Sequence, residues 1–166
     1  MKIAITGPES AGKTTLAKNL SEAFGLTYIE EYSREYLASK KDFKYEVSDL
    51  LNIAREQYKR IDEAENAISD TEMTVMKIWL KDKFHIESFE INTLWETELI
   101  DLYFLCKPDI PWEPDPLRED PFRRDELFLT YEDLLKSKGA NYYIIKGSDR
   151  TEQAISILSK FIKNST

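Results

Sequence analysis

The sequence predicts an α/β protein, a three-layer α/β/α sandwich built on a central, mainly parallel five-stranded sheet with one long lid loop. Three observations predict it. Five short apolar runs alternate with stretches of helical spacing along 166 residues, the pattern of strands covered on both faces by crossover helices. A glycine-bracketed turn, Gly7 to Gly12, separates the first apolar run from the first helical stretch. The one proline-dense segment follows the fourth apolar run.

Lys2–Thr6 is apolar and ends at glycine, a buried strand entering a tight loop. Leu16, Leu20, Ala23 and Phe24 then mark one helical face, which Gly25 stops. Thr27–Glu30 reads as a second strand. Leu50, Ala54, Tyr58, Ile61 and Ala64 give an amphipathic helix, Ala67–Ser69 a third strand, and Met73, Met76 and Leu80 another helix. Asp101–Cys106 is a strongly apolar fourth strand. Beyond it, Lys107–Arg124 carries Pro108, Pro111, Pro114, Pro116 and Pro121, too many for any regular element. Leu127, Phe128, Tyr131, Leu134 and Leu135 form a helix ended by Gly139, and Tyr142–Ile145 is the last strand. Asp149 with Glu152 reads as a capping box for a final helix bearing Ala154, Leu158, Phe161 and Ile162. With no linker or repeat, residues 1–166 are expected to form one domain whose lid and substrate loop spans about 107–124.

The totals restrict the function classes. With 42% hydrophobic and 33% charged residues, the composition is that of a soluble globular protein. No apolar run is long enough to span a membrane, and Met1 leads straight into a core strand, so no signal peptide is expected and the cytoplasm is the expected location. A lone Cys106 excludes an intramolecular disulfide, and a lone His85 leaves no Cys/His metal cluster; both are assigned to structure. The net charge of −8 disfavours nucleic acid and anionic membrane as partners and favours a small-molecule substrate. A polyanionic ligand then needs a local concentration of donors.

Gly7-Pro8-Glu9-Ser10-Ala11-Gly12-Lys13-Thr14 supplies it, matching G-x-x-x-x-G-K-[ST] between a strand and a helix. The glycines let the backbone curl so that successive N–H groups point at phosphate oxygens, and the helix adds its positive N-terminal end. The phosphate-binding residues are therefore Gly7, Glu9, Ser10, Ala11, Gly12, Lys13, Thr14 and Thr15. Lys13 is expected to neutralise the β- and γ-phosphates of ATP, and the Thr14 hydroxyl to ligate Mg²⁺. This is the P-loop NTPase signature, and a phosphotransferase needs carboxylates nearby. In such sheets ligands bind beyond the carboxyl ends of the strands. There stands Asp70, either orienting the metal or capping the next helix. Glu30 and Glu31 end the second strand, where a carboxylate orienting an acceptor hydroxyl would accept its proton, although acids at a helix start also simply complement its dipole.

The proline-rich loop adds Trp112, either packed on the core or a stacking surface for a flat ring, and Asp115 as an acceptor for sugar hydroxyls. Arg118 is read as a lid arginine stabilising transition-state charge. Arg123 and Arg124 are either lid residues or partners of Glu119, Asp120 and Asp125. Gly147, Ser148 and Arg150 mark a place where a loop could meet adenine.

The chain resembles the ribosylnicotinamide kinase domain of the NadR family, through GPESAGKTTL (7–16), EYSREY (31–36), AREQY (54–58), SDTEMT (69–74) and DLYFLCKPDIPWEPDPLR (101–118). That resemblance implies phosphoryl transfer from Mg·ATP to the 5′-hydroxyl of nicotinamide riboside, giving nicotinamide mononucleotide for NAD synthesis. It implies Glu31 rather than Glu30 as the acidic position, with Lys13, Glu31, Asp70 and Arg118 as the catalytic set. It also implies Tyr32, Arg34, Tyr36, Gln57 and Tyr58 as pocket residues, Trp112 as a nicotinamide-stacking residue and Asp115 as a ribose contact. The base is either Glu31 or Asp70, with related nucleoside kinases favouring Glu31. Bifunctional members carry an adenylyltransferase domain before the kinase. Here the cradle begins at the seventh residue, so the expectation is a standalone kinase. Two other readings stay open: a kinase for another nucleoside, or a regulatory ATP- or GTP-binding module with slow hydrolysis.

Overall fold

The computed structural model describes residues 1–40, 44–115 and 118–165. Pro116 and Leu117, part of the loop singled out above, lie outside them. In chain order the elements are β1 (Lys2–Thr6), α1 (Lys13–Phe24), β2 (Thr27–Ile29), α2 (Tyr32–Ala38), α3 (Val47–Glu63), β3 (Ala67–Asp70), α4 (Met73–Phe84), α5 (Phe89–Thr97), β4 (Leu102–Cys106), α6 (Arg124–Ser137), β5 (Tyr142–Ile145) and α7 (Arg150–Ser165). The strands form one parallel five-stranded sheet ordered β2-β3-β1-β4-β5. All five expected strands are present.

Alternation along each strand divides the core into layers. On one face Ile3, Ile5, Ile68, Leu102, Phe104 and Cys106 pack with Leu16, Leu20, Ala154 and Leu158 of α1 and α7. On the other, Ala4, Tyr103 and Leu105 pack with Ile78 of α4 and with Phe128, Tyr131 and Leu135 of α6. Both faces being covered explains why these strands are apolar throughout. A third cluster joins Leu37, Leu50, Ile53, Met73, Met76, Ile91 and Trp95 of α2 to α5.

Two helices go beyond the sequence reading. α2 is only seven residues long, and α5 is rich in β-branched and aromatic residues; its N-cap, Ser88, accepts from the Ile91 N–H. Asp149 precedes α7 as expected, but its Oδ1 accepts from the Gln153 side chain. Because every strand runs the same way, the segments after all five strands gather at one edge of the sheet. Central β1 delivers Gly7 between the ends of β3 and β4, with Ile5 in register with Asp70 and Thr6 with Leu105.

Candidate active site

The turn after β1 curls through conformations that glycine permits. Gly7 has φ 132° and Gly12, which caps α1, has φ 77°. At Gly7 the backbone lies so close to β4 that a Cβ would stand 2.7 Å from the Cys106 carbonyl oxygen. No side chain caps α1 and its first turn holds no acid, so its N–H groups stay available to an anion. Lys13 folds back, its Nζ donating to the Pro8 carbonyl at 2.7 Å.

The turn after β3 is strained and over-determined. Thr71, β-branched and buried, takes φ 79°. Its N–H donates to the Ile5 carbonyl at 3.0 Å, and its carbonyl accepts from Ser69 Oγ at 2.6 Å. Glu72 accepts from Thr6 Oγ1 at 2.7 Å, tying this turn to the residue before the cradle. Strain of this kind persists only where the surroundings fix it, and it clusters at working sites. The turn holds Asp70, 1% exposed, with Oδ2 accepting from Tyr28 Oη at 3.3 Å and Oδ1 without a partner. Burial pushes the Asp70 carboxyl up, with the Glu31 charge adding to it; the Thr14 hydroxyl and Lys13 pull it back.

A cavity of about 240 Å³ opens beside the cradle. Gly7 to Thr15 form one end; Glu31, Ser33, Arg34 and Leu37 a side; Val75, Ile78, Trp79, Asp82 and Lys83 of α4 the floor; and Glu113, Arg118, Glu119 and Asp120 of the loop after β4 a wall. Glu31 accepts from Ser33 Oγ at 2.9 Å and from Arg34 Nε at 3.2 Å. Arg34 also donates to Asp115 Oδ2 at 3.0 Å, so one guanidinium joins Glu31 to the loop. Arg118 Nη1 donates to the Glu113 carbonyl and reaches Ser10 Oγ at 3.5 Å.

Several expected pocket residues stand outside this cavity. Gln57 is buried, accepting from the Tyr32 N–H at 2.9 Å and donating to Ser69 Oγ at 3.2 Å, so it braces α2 and β3. Tyr36 Oη donates to Asp49, Tyr58 Oη pairs with Thr97 Oγ1, and the Tyr32 ring lies under Arg60 at 4.4 Å. Trp112 does not line the cavity either; its ring lies 5.6 Å from the Arg124 guanidinium. Asp115 does not line the cavity, but it accepts from Arg34, which does. Arg123 forks onto Asp82 at 2.7 and 3.1 Å, and Arg124 donates to the carbonyls of Ser10 and Ile110, both at 3.1 Å. Arg150, 9% exposed, donates to the carbonyls of Ala11 at 2.9 Å, Lys107 at 2.8 Å and Gly147 at 3.0 Å, and pairs with Asp109. It pins the cradle to the loops after β4 and β5.

The sequence reading missed the α4 floor. Its signal is the spacing of Val75, Ile78, Trp79 and Asp82, one helical face, beside Met73, Met76 and Leu80, which face the core. Trp79 is fixed there by Nε1, which donates to Tyr45 Oη at 2.9 Å.

Sheet order, cradle and cavity define a P-loop nucleotide-binding domain with the fold of the nucleoside kinases. A family model described as an AAA domain matches residues 2–152, and the chain belongs to that family. It is similar to the trifunctional NAD biosynthesis/regulator protein NadR of Salmonella typhimurium, 31% identical over 157 residues, covering 89% of this chain and 38% of that protein. NadR of Escherichia coli is 31% identical over 124 residues, 70% of this chain and 30% of that one. The chain thus spans only about a third of the length of these curated relatives. Among solved structures, NadR in complex with NAD and AMP-PNP superposes with a TM-score of 0.72 at 23% identity, over 96% of this chain and 48% of that one. Deoxyadenosine kinase from M. mycoides, with products bound, superposes with a TM-score of 0.69 at 19% identity over 100% of both chains.

Proposed function

We propose that residues 1–166 act as one cytoplasmic kinase domain that transfers the γ-phosphoryl group of ATP to the 5′-hydroxyl of nicotinamide riboside, forming nicotinamide mononucleotide and ADP. The observation that carries this reading is the shared cavity. A phosphate cradle at one end, a carboxylate on the side and an aromatic floor lie within one space of about 240 Å³. Similarity to NadR, along 89% of this chain, supports the choice of riboside.

The geometry suggests a division of labour. The main-chain N–H groups of 7–15 and Lys13 hold the phosphates. Glu31 faces the open cavity and accepts the proton as the acceptor oxygen bonds to phosphorus and the bond to ADP breaks. Asp70, buried and outside the cavity lining, is less accessible to an acceptor hydroxyl and is the better orienting group. Arg118 reaches over the cradle from the loop, where transition-state charge develops. Trp79 offers the stacking face, so the aromatic role assigned to Trp112 passes to α4.

The donor set fits Mg²⁺. Asp70 Oδ1 is buried without a partner, and with the Thr14 hydroxyl it forms a pair of hard oxygens. Among the described residues no cluster of three metal-ligating side chains exists, which suits a cation held mainly by nucleotide phosphates. When bound, the cation neutralises charge on the phosphate oxygens.

The test is ADP release from Mg·ATP with and without nicotinamide riboside, with Lys13→Ala as control. Stimulation by the riboside, with nicotinamide mononucleotide as product and none from Lys13→Ala, is expected. The end-to-end superposition on deoxyadenosine kinase favours one second reading, a kinase for another nucleoside. Stimulation by a purine nucleoside instead of the riboside would establish it. Nucleotide binding without stimulation by any nucleoside would overturn both.

A further inference from the structure

We propose that Glu9 is a positioning residue for the lid: its carboxylate, inside the phosphate-cradle motif, holds the loop after β4 over the cradle through the backbone N–H groups of Glu119 and Asp120. Glu9 Oε2 accepts from Glu119 N at 2.8 Å and from Asp120 N at 3.1 Å. Its neighbour Ser10 repeats the pattern, Oγ accepting from Glu113 N at 2.9 Å and the carbonyl from Arg124 at 3.1 Å.

The cradle motif does not specify the residue types at these positions, because phosphate is held there by main-chain N–H groups. An acid facing the phosphates would repel a polyanion. The bonds to the loop give the Glu9 carboxylate other work. Burial raises its pKa and the Asp120 charge adds to that, while the two loop N–H bonds, and then Lys13, oppose the rise, so the loop's N–H groups help to keep an ionised acid there. Both bonds go to backbone, leaving the loop's own side chains for α4: Glu119 accepts from Lys83 at 2.7 Å, and Arg123 forks onto Asp82. Cradle, loop and the α4 floor are thereby tied at the wall of the cavity. The phosphates and the lid that excludes water from them are linked by a side chain of the cradle itself. The catalytic consequence, and only that, rests on the kinase reading above.

The experiment is limited proteolysis of the full chain by trypsin, without nucleotide, in wild type, Glu9→Ala and Glu9→Gln. Of the two N–H groups that Glu9 receives, that of Glu119 belongs to the Arg118–Glu119 peptide bond, itself a tryptic site. Cleavage there is expected to be at least about tenfold faster in Glu9→Ala, which loses both hydrogen bonds, since one charge-assisted bond alone accounts for about tenfold. Glu9→Gln, which keeps an acceptor oxygen, should fall between. Cleavage after Lys59, on the exposed face of α3, is the internal control. Should Glu9→Ala unfold, as circular dichroism would report, Glu9→Gln decides alone. Cleavage at Arg118 at the wild-type rate in the folded variants overturns the proposal. In the second measurement, the ratio of ATP hydrolysis to transfer should rise in Glu9→Ala, because a loosened lid admits water. An unchanged ratio overturns the water-excluding role. A wild type that transfers phosphate to no nucleoside sinks the kinase reading instead, and proteolysis still judges the latch.

Discussion

Arg150 decides whether the loop after β5 reads the nucleotide or builds the cradle. The structure assigns its guanidinium to building. It is almost wholly buried and donates to carbonyls at 2.9, 2.8 and 3.0 Å on three different loops, with Asp109 balancing its charge. Replacing it by alanine removes donors from Ala11, Lys107 and Gly147 and leaves Asp109, whose side chain is 31% exposed, with the Gly147 N–H at 2.9 Å. The charge-assisted bonds to the carbonyls contribute about 1.5–3 kcal/mol each and do not add in full because they act as a unit, so a loss of about 3–5 kcal/mol is expected. For a chain of this length each kcal/mol shifts the midpoint by about 2–4 °C, so Arg150→Ala should melt roughly 6–20 °C lower.

The assay is thermal unfolding by circular dichroism, paired with ATP titration well below the lowered midpoint. Arg150→Lys should recover little, since one ammonium cannot replace a fork that spans three carbonyls. Asp109→Asn should cost less than Arg150→Ala, because the guanidinium keeps its carbonyl acceptors. A midpoint within about 1 °C of wild type, together with tenfold weaker ATP binding, would refute the pinning role and make Arg150 a nucleotide contact.

Three further expectations concern the site. Glu31→Gln should lower kcat by about 10²–10⁴-fold while leaving the ATP dissociation constant nearly unchanged; weakened ATP binding with a preserved kcat would remove Glu31 from proton transfer. Trp79→Ala should raise the acceptor KM by about 5- to 150-fold, the range of one lost base–aromatic stack, whereas Trp112→Ala should barely change it; the reverse ranking would return the substrate to the proline-rich loop. Asp82→Asn tests the tie between α4 and the loop. The Arg123 hydrogen bonds hold the Asp82 carboxyl below its ordinary value, so the stability it contributes is full above about pH 4 and is lost as pH falls through its folded pKa. Melting midpoints measured from pH 7 to pH 3 should therefore fall less steeply in the variant; identical slopes would show that the pair is inert.

What could be read without coordinates was what is local. The cradle is contiguous, and its glycines, lysine and threonine are each needed where they stand, so eight residues suffice to identify it. The strands were legible because burial on both faces leaves no polar alternation to interpret. The floor of the cavity was not, because whether Trp79 faces a ligand or the core depends on where α4 lies across the sheet. EYSREY and AREQY illustrate the opposite problem. Tyr32, Tyr36, Gln57 and Tyr58 bond or stack among α2, α3, α5 and β3, outside the cavity lining, while Glu31 and Arg34 of the same stretches line it. A shared motif preserves packing and chemistry alike, and only side-chain direction separates them.

The net charge of −8 seemed to argue against a polyanionic ligand, and the site shows how the two coexist. The cradle relies on main-chain N–H groups and an acid-free first turn of α1, which no distribution of surface carboxylates cancels at contact distance. Nearby carboxylates are already engaged. Glu9 is held by two loop N–H groups, and Glu31 by Ser33 and Arg34. Of these acids, Asp70 keeps a buried oxygen with no partner. A cation bound with the nucleotide would satisfy this oxygen without new protein contacts. On the kinase reading proposed above, an acidic protein would gain a reason to bind its nucleotide as the metal complex: the free polyanion would leave Asp70 Oδ1 unsatisfied and repelled, and the complex would not.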